Sequence, residues 1–343
     1  MRESWREATV RRILLSIPLL ASLLALVVMI FGGPFKGYEG DSALVVVPRG
    51  STPAQVATLL ADSGVIRSRT LFRIEARISG KAPSLQAGEY RFEGPLSSWT
   101  VLGIIASGDV LLHKLTIPEG LTGMEVISRI AGMGLAGEDD LLAAFRDPSP
   151  VHDIDPGASD LEGYLFPDTY HFARPTPARQ ILGDMVARFR DELADGLAGQ
   201  ARRAGMSIHD VVTLASLIEK ETSLPEERGR ISAVFHNRLE RRMPLQCDPT
   251  VIYALASDGR YNGSLTREDL QYASPYNTYV NPGLPPGPIA APGRAALEAA
   301  VQPDDVPDLY FVADGSGGHH FSRTLDEHLR AVEKYRRLQR SGA

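Results

Sequence analysis

Residues 211–253 read VVTLASLIEKETSLPEERGRISAVFHNRLERRMPLQCDPTVIY, a stretch in which apolar helical patterns alternate with polar turns. Apolar residues recur at helical spacing over residues 211–218, which predicts a helix. Ser223, Leu224 and Pro225 then predict its end. A second helical pattern covers residues 231–239 and is followed by the polar loop 245–250. The stretch therefore predicts a helix whose last turn faces polar loops.

Two carboxylates, Glu219 and Glu221, lie in that last turn. Residues two apart are about 200° apart around a helix, so these two cannot flank one glycosidic bond as the usual carboxylate pair. Glu221 follows Leu217 and Ile218 by about one turn and leans towards the apolar face. Desolvation there raises the pKa of a carboxyl group and lets it hold a proton near neutral pH. Periodicity favours Glu221 over Glu219 as a general acid, and a plain surface role stays open for either.

The composition excludes several classes of function. The chain has 343 residues, enough for two domains beyond a targeting segment. Its formal net charge of −6 argues against a general nucleic-acid binder. The only cysteine, Cys247, permits neither an intrachain disulfide nor a cysteine cluster for a metal. The eight histidines show no metal-ligand spacing, so we predict neither a metal nor another cofactor.

An apolar run of nineteen residues without a charge, 13–31, lies between Arg12 and Gly32-Gly33-Pro34 and precedes the globular part of the sequence. A helix of that length spans roughly 28 Å, close to the hydrocarbon thickness of a bilayer. Four arginines within residues 1–12 favour a cytoplasmic N-terminal tail. We therefore expect a transmembrane helix over residues 13–33 and a polar linker over residues 36–42. A cleaved signal peptide is the alternative, but no small-x-small cleavage site follows the run.

A strand–turn–helix pattern occurs twice in the first third of the chain. Residues 44–47 predict a strand, residues 48–50 a turn and residues 52–60 a helix, and the pattern returns seventy residues later. Helices over 71–78 and 101–105 and a strand over 88–92 are predicted between the copies. The small α+β module formed by residues 43–112 resembles the LysM carbohydrate-binding domain. Glycan binding and a spacer role both stay open for it.

Two further segments combine aromatic and polar side chains. Residues 161–170, LEGYLFPDTY, include Glu162 and offer rings and carboxylates that suit a sugar, although an ordinary strand–turn is the alternative. Residues 272–288, YASPYNTYVNPGLPPGP, contain too many prolines and glycines for a long helix or a central strand. A rigid loop of this composition is a candidate sugar-binding wall.

Four segments carry structural expectations only. Residues 139–156 are acidic and contain proline, which predicts a linker or mobile loop, and residues 179–201 predict one long amphipathic helix. Residues 308–313 predict a buried strand. Residues 325–339 predict the last helix.

Several blocks together carry a family resemblance. They read ASLIEKETSLPEERGRISAVFHNRL, LQCDPTVIYAL, RYNG, SPYNTY, GLPPGPIAAPG and LYFVADGSGGHHFS. In this order they resemble the MltG/YceG-like family of endolytic murein transglycosylases, and the resemblance covers nearly the whole chain. It implies a single-pass protein of the inner membrane with a cytoplasmic tail at residues 1–12. It also implies a periplasmic part of α+β class, with a LysM-like subdomain at 43–112 and a catalytic domain at 113–343.

The resemblance also implies a catalytic residue and a reaction. The second glutamate of the family's E-K-E-T motif falls on Glu221, and Cys247 stands where the family commonly has threonine. One carboxylic acid would cleave MurNAc–GlcNAc bonds within peptidoglycan without water, leave 1,6-anhydroMurNAc ends and terminate glycan elongation. Candidates for holding the substrate are Glu162, Asn237, Gln246, Asp248, Thr250, Tyr276, Asn277 and Tyr279.

The partners implied by the resemblance are glycan strands, the inner membrane and peptidoglycan synthases. A peptidoglycan-binding scaffold and a hydrolytic muramidase are the alternative functions.

Overall fold

The computed structural model describes residues 33–341 together with three helical positions, Pro18, Ser22 and Leu26. These residues divide into two compact units. The first unit consists of the chain up to His113 and the short segment His171–Pro175. The second unit consists of Lys114–Tyr170 and the chain from Thr176 onward. The predicted cytoplasmic tail and nearly all of the predicted transmembrane helix lie outside the described residues. Among the residues that are described, no helix combines the length and apolarity needed to cross a bilayer.

The first unit packs helices around an antiparallel strand pair. Its elements are β1 (Ser42–Val47), α1 (Pro53–Asp62), α2 (Arg69–Ile78), β2 (Gly88–Glu93) and α3 (Ser98–Ser107). Alternate residues of β1 are buried, as expected for a strand with one face on a core. Phe72, Tyr90 and Phe92 are fully buried in that core. The helices and strands predicted for this module are thus confirmed.

The segment expected to be a polar linker is fixed to the first unit, so that prediction was wrong. The backbone of Phe35 pairs with Leu96 through hydrogen bonds of 2.9 and 3.2 Å. The hydroxyl of Tyr38 donates to the carbonyls of Phe92 and Gly94 at 3.1 and 2.9 Å. The chain therefore enters its first folded unit by Phe35.

The internal repeat has the same local structure in both copies. The second copy comprises β3 (Leu112–Thr116) and α4 (Gly123–Gly132). Thr52 and Thr122 each cap a helix in a capping box. Gly50 and Gly120 have φ of 77° and 76°, a left-handed conformation that glycine adopts without strain. The repeated strand–turn–helix prediction is confirmed.

Two predictions for the next segments were wrong. Residues 139–156 begin with α5 (Glu138–Phe145), which buries Leu141 and Phe145 instead of forming a free linker. The single helix expected over residues 179–201 is divided into α6 (Ala178–Glu192) and α7 (Ala198–Ala204). Gly196, with φ of 104°, interrupts it because a residue in that conformation cannot continue a right-handed helix. The strand β4 (Thr169–Ala173) pairs with β3.

The helix α8 (Ile208–Glu221) lies at the centre of the second unit. It contacts α9 (Arg228–Glu240), α10 (Asp248–Ser257) and α11 (Arg294–Val301). All residues from Val211 to Ile218 are buried, which fits a helix that is apolar on every side. The core thus fixes α8 along its length, and its C-terminal end leads to the polar loops.

The C-terminal part adds a hairpin and a helix. Strands β5 (Tyr310–Ala313) and β6 (His319–Ser322) are antiparallel, with Ala313 opposite His319. The strand expected over 308–313 begins at Tyr310 and is half-buried rather than buried. The last helix is α12 (Leu325–Ser341), as predicted. Residues 272–288 contain turns, bends and irregular backbone but no helix or strand, as predicted.

Candidate active site

Glu221 is the last residue of α8 and is half-buried at the helix end. The helix stops there because Thr222 adopts an extended conformation, with φ of −143° and ψ of 139°. Thr222 still donates its N–H to the carbonyl of Ile218 at 3.3 Å, and Pro225 follows shortly. The end of a buried helix therefore holds this carboxyl group in a fixed position beside the polar loops.

Burial raises the pKa of Glu221 to about 7. The thiol of Cys247 opposes this shift because it donates a hydrogen bond to the carboxylate. The negative charge of Asp248 raises the pKa further, whereas His319 and Arg238 lower it. A carboxyl group with a pKa near 7 is present in both protonation states at neutral pH. It can therefore give a proton in one step and accept one in the next.

Glu219 lies in a different environment. Its Oε2 accepts a hydrogen bond of 3.1 Å from the backbone N–H of Gly293, the N-cap residue of α11. Arg228 places a guanidinium nitrogen 3.9 Å from the other carboxylate oxygen. A carboxylate at a helix N-terminus is stabilised by the helix dipole. Glu219 thus joins α8 to α11.

Arg238 binds the backbone of the loops near Glu221. Its Nε donates to the carbonyl of Leu309 at 2.7 Å, and Nη1 donates to Pro244 and Leu245 at 3.1 and 2.9 Å. The guanidinium carbon also lies 5.1 Å from the ring centre of Tyr310. Burial lowers the pKa of Arg238. No functional role was predicted for Arg238 from the sequence, although a charged side chain at a position of the apolar helical pattern was a usable signal.

His319 and Glu227 form a second supporting pair that the sequence analysis missed. His319 Nδ1 lies 2.7 Å from Glu227 Oε2, and the backbone N–H of His319 donates to Oε1 at 2.7 Å. Thr222, next to Glu221, donates its hydroxyl to the same carboxylate at 3.3 Å. These bonds tie β6 to the end of α8. No spacing in the sequence connects residues 92 positions apart.

Three predicted binding residues are grouped with Glu221. Gln246 and Asp248 are exposed, and Tyr279 is half-buried. The Tyr279 hydroxyl donates to Asp248 Oδ1 at 2.5 Å, and Arg238 donates to Gln246 Oε1 at 3.3 Å. Asp248 and Tyr279 interact electrostatically with Glu221. Gln246 is linked to Glu221 through Arg238, which also interacts electrostatically with that carboxyl group. Together they offer accessible polar groups beside the carboxyl group.

Three other predicted binding residues form hydrogen bonds within the protein that fix neighbouring loops. Thr250 is fully buried and its hydroxyl is within 2.9 Å of that of Thr278. Asn277 is also fully buried, and its Oδ1 accepts from the backbone N–H of Tyr279 at 2.9 Å. Asn237 donates to two carbonyl groups just before β5, both at 2.9 Å. Their polar atoms are used within the protein, and their contact with a substrate stays a prediction.

Glu162 and Tyr276 belong to a separate cluster built around Tyr253. Glu162 accepts a hydrogen bond of 2.9 Å from the N–H of Gly123, at the start of α4, and one of 3.3 Å from the Tyr253 hydroxyl. The rings of Tyr253 and Tyr276 lie 4.9 Å apart. Burial raises the pKa of Glu162 to about 8. Glu162 is 5 % exposed, and its carboxyl group contacts α4 and Tyr253.

Among the residues that the structure describes, no group of three or more His, Cys, Asp or Glu side chains is arranged to hold a metal ion.

Comparisons with known proteins agree with one another. The YceG-like family model matches residues 45–334. An endolytic murein transglycosylase of Bacillus subtilis is 32% identical over 332 residues, covering 90% of this chain and 91% of that protein. An endolytic murein transglycosylase of Streptococcus pneumoniae is 30% identical over 359 residues, covering 92% of this chain and 64% of that protein.

A solved structure gives the same result for the fold. The 2.6 Å crystal structure of a YceG-like protein from Listeria monocytogenes has a TM-score of 0.59 and 34% sequence identity to this chain. The match covers 84% of this chain and 98% of the Listeria chain.

Proposed function

The chain belongs to the YceG-like family, and from this premise we propose that it cleaves murein glycan strands as an endolytic lytic transglycosylase. The observation that carries the proposal is the position of Glu221. Its carboxyl group stands at the end of a buried helix, beside the exposed Gln246 and Asp248, and burial raises its pKa to about 7. General acid–base catalysis is most effective when the pKa of the group lies near the working pH.

In the first step, protonated Glu221 donates its proton to the oxygen that bridges MurNAc C1 and the next sugar. The C1–O bond breaks, and positive charge develops on the MurNAc ring. The 2-acetamido group of the substrate stabilises this charge, so the protein need not supply a second carboxylate at the spacing of ordinary glycosidases.

In the second step, ionised Glu221 takes the proton of the MurNAc C6 hydroxyl. The oxygen of that hydroxyl attacks C1 and forms the 1,6-anhydro ring. The proton given in the first step is regained in the second, and no water is consumed. One residue with a pKa near neutrality can serve both steps.

The surrounding residues divide into two roles in this proposal. Gln246, Asp248 and Tyr279 present accessible hydrogen-bonding groups that suit sugar hydroxyl and acetamido groups. Arg238 and His319 hold the loops and lower the pKa of Glu221, which limits the effect of burial. Without them the pKa of Glu221 would be higher, so a smaller fraction of the carboxyl group would be ionised at neutral pH and available as the base in the second step.

Hydrolysis is the second candidate reaction, because Asp248 is an exposed carboxylate close enough to raise the pKa of Glu221. It could activate water in place of the C6 hydroxyl. The Tyr279 hydroxyl occupies one oxygen of Asp248, which favours the transglycosylase reaction. Mass spectrometry of the product ends decides between the two. Anhydro ends are lighter than reducing ends by one water, and reducing ends alone would establish a hydrolase.

We place this reaction outside the cytoplasm, on the periplasmic side of the inner membrane, where synthases extend new strands and cleavage would end their elongation. The uncharged run at residues 13–31 and the arginines before it support a single anchor with a cytoplasmic N-terminus. Protease added to spheroplasts should therefore digest the part of the chain after about residue 35. Protection of the C-terminal region would overturn this topology.

A further inference from the structure

The outward side of α2 carries two neighbouring stripes of different chemistry. Helical spacing places the basic stripe at Arg69, Arg73 and Arg77 and a second stripe at Thr70, Ile74 and Ile78. The opposite side of the helix holds its buried residues. Helices with a core-facing side and a mixed basic and apolar outer side resemble those that lie at membrane interfaces.

The apolar residues of this outer side are strongly exposed. Ile74 is 48% exposed, Ile78 is 77% exposed, and Trp99 at the start of α3 is 50% exposed. The ammonium group of Lys81 lies 5.9 Å from the ring centre of Trp99. The start of α3 is held to α2 because the Ser98 hydroxyl donates to Glu75 at 2.6 Å. We call the surface formed by Arg73, Ile74, Arg77, Ile78, Lys81 and Trp99 the interfacial face.

Ion pairing differs among the three arginines of α2. Arg69 pairs with Asp62, but within the described residues neither Arg73 nor Arg77 has an acidic partner. A groove of about 400 Å³ beside them is lined by both arginines and by Thr52 and Thr70. Two guanidinium groups that line one groove suit the phosphate oxygens of an anionic group.

The position of the interfacial face in the chain identifies its occupant. The apolar run ends at Phe31, before Gly32, Gly33 and Pro34, and Phe35 is already paired with Leu96. Four residues of chain span at most about 14 Å. Leu96 precedes Trp99 by three residues. An anchor over residues 13–31 would therefore hold the first unit, and the start of α3 in particular, close to the bilayer surface.

From the chemistry of this face and its short tether, we infer that the interfacial face lies on a bilayer containing anionic phospholipid. Arg73, Arg77 and Lys81 contact headgroup phosphates, and Ile78 and Trp99 enter the boundary of the hydrocarbon. Trp and long basic side chains are the residues that favour this boundary. The inference rests on the proposed membrane anchor and is independent of the reaction at Glu221. It would fix the orientation of the first unit on the membrane.

The test uses Trp99 as a depth probe. The chain has two tryptophans, Trp5 and Trp99, so Trp5→Phe leaves Trp99 as the only one. The full chain with Trp5→Phe is placed in nanodiscs whose lipids carry brominated acyl chains, which quench tryptophan on contact. Strong quenching is expected in discs containing phosphatidylglycerol, and weaker quenching in pure phosphatidylcholine.

Adding Arg73→Gln and Arg77→Gln should reduce the contact population by about tenfold or more, because each basic side chain favours an anionic surface about fivefold. Arg73→Lys with Arg77→Lys should retain most of the quenching. The matched control is Arg49→Gln with Arg91→Gln, which removes two exposed arginines outside α2. This control should leave the quenching of Trp99 unchanged.

Three results would overturn the inference. The first is that brominated lipid does not quench Trp99, and the second is that quenching is equal in both lipids and unaffected by the changes at Arg73 and Arg77. The third is that added glycan strands, and not lipid, shield Trp99. Circular dichroism checks that each variant is folded. If the arginine pair fails this check, Ile78→Ser is the second variant, and this change should weaken the quenching of Trp99.

Cleavage of glycan strands in detergent by the Arg73→Gln, Arg77→Gln variant should equal that of the parent. Loss of the proposed activity would thus be recognised separately from loss of membrane contact.

Discussion

Glu219 accepts a hydrogen bond from the backbone N–H of Gly293 at 3.1 Å, whereas Glu221, two residues further along α8, receives one from the thiol of Cys247. Burial raises the pKa of both carboxyl groups. Their partners differ, because Glu219 bonds to the backbone at the start of a helix and Glu221 faces an accessible loop. This separation allows the two residues to be tested against each other.

Glu221→Gln should abolish release of 1,6-anhydro muropeptides. The amide keeps the size of the side chain but neither donates nor accepts the required proton. General acid–base catalysis contributes a factor of about 10²–10⁴, and here one residue serves both steps, so the loss should reach the upper end of that range.

Glu219→Gln is the matched control, and it should cost far less activity because its carbonyl can still accept from Gly293. Thermal melting shows that both variants are folded. The assignment is reversed if Glu219→Gln alone is inactive, and the enzyme proposal fails if neither change reduces product.

Substitution of Cys247 should shift the pH at which the rate of cleavage falls. Ionised Glu221 cannot act as the acid, so the rate of cleavage should fall as the pH rises through about 7. The Cys247 thiol stabilises the ionised form, so Cys247→Ala should raise the pKa of Glu221 and move this fall to higher pH.

Cys247→Thr restores a hydrogen-bond donor and should return the fall towards its original position. Rates of muropeptide release measured from pH 5 to pH 9 with the three proteins provide the test. An unchanged profile in Cys247→Ala would show that the thiol does not act on Glu221.

The sequence predicted α8 and the position of Glu221 well, because periodicity and a proline after the last turn act locally. It did not predict the contacts of Arg238 or His319. Arg238 bonds to Leu309, which is 71 residues away, and His319 pairs with Glu227 across 92 residues. Such pairings depend on the tertiary fold and leave no spacing signal in a single sequence.

The binding candidates show the same limit. Residue type suggested Asn277 and Gln246 equally, since an amide can bond to a sugar or to a backbone. The structure buries Asn277 completely and leaves Gln246 exposed. Burial of a polar side chain inside a loop follows from how that loop folds onto its neighbours, which composition alone does not determine.

Asn277→Ala should destabilise the protein. Its amide donates to the carbonyl of Tyr272 at 2.8 Å, and its Oδ1 accepts from Tyr279 at 2.9 Å, in a fully buried position. Leaving buried polar groups unpaired costs about 1–3 kcal/mol each, so we expect a loss of at least about 2 kcal/mol in the free energy of unfolding.

Gln246→Ala is the control for that experiment and should change the stability by less than about 0.5 kcal/mol, as for an exposed residue. Urea unfolding of the two variants and the parent measures both values. Equal stability of Asn277→Ala and the parent, with reduced turnover, would instead assign Asn277 to substrate binding.

Stability should fall as the pH rises from about 4.5 to about 8, in part because of Glu162. The folded-state pKa of Glu162 is raised from 4.5 to about 8, so in this interval the folded protein binds a proton that the unfolded chain has lost. The contribution of this proton is complete below the unfolded pKa and disappears as the pH passes through the folded one. A single such group gives a slope of about 1.4 kcal/mol per pH unit within the interval.

Glu162→Gln should flatten this slope, since the amide carbonyl still accepts from Gly123 but does not titrate. Glu221 titrates in an overlapping range, so both proteins should carry Glu221→Gln. Urea unfolding of the Glu221→Gln protein and of the Glu162→Gln, Glu221→Gln protein at pH 5, 6, 7 and 8 isolates the difference. The second protein should gain stability relative to the first as the pH rises. Parallel curves would mean that folded Glu162 is already ionised at pH 5, and that the contacts with Gly123 and Tyr253 outweigh its burial.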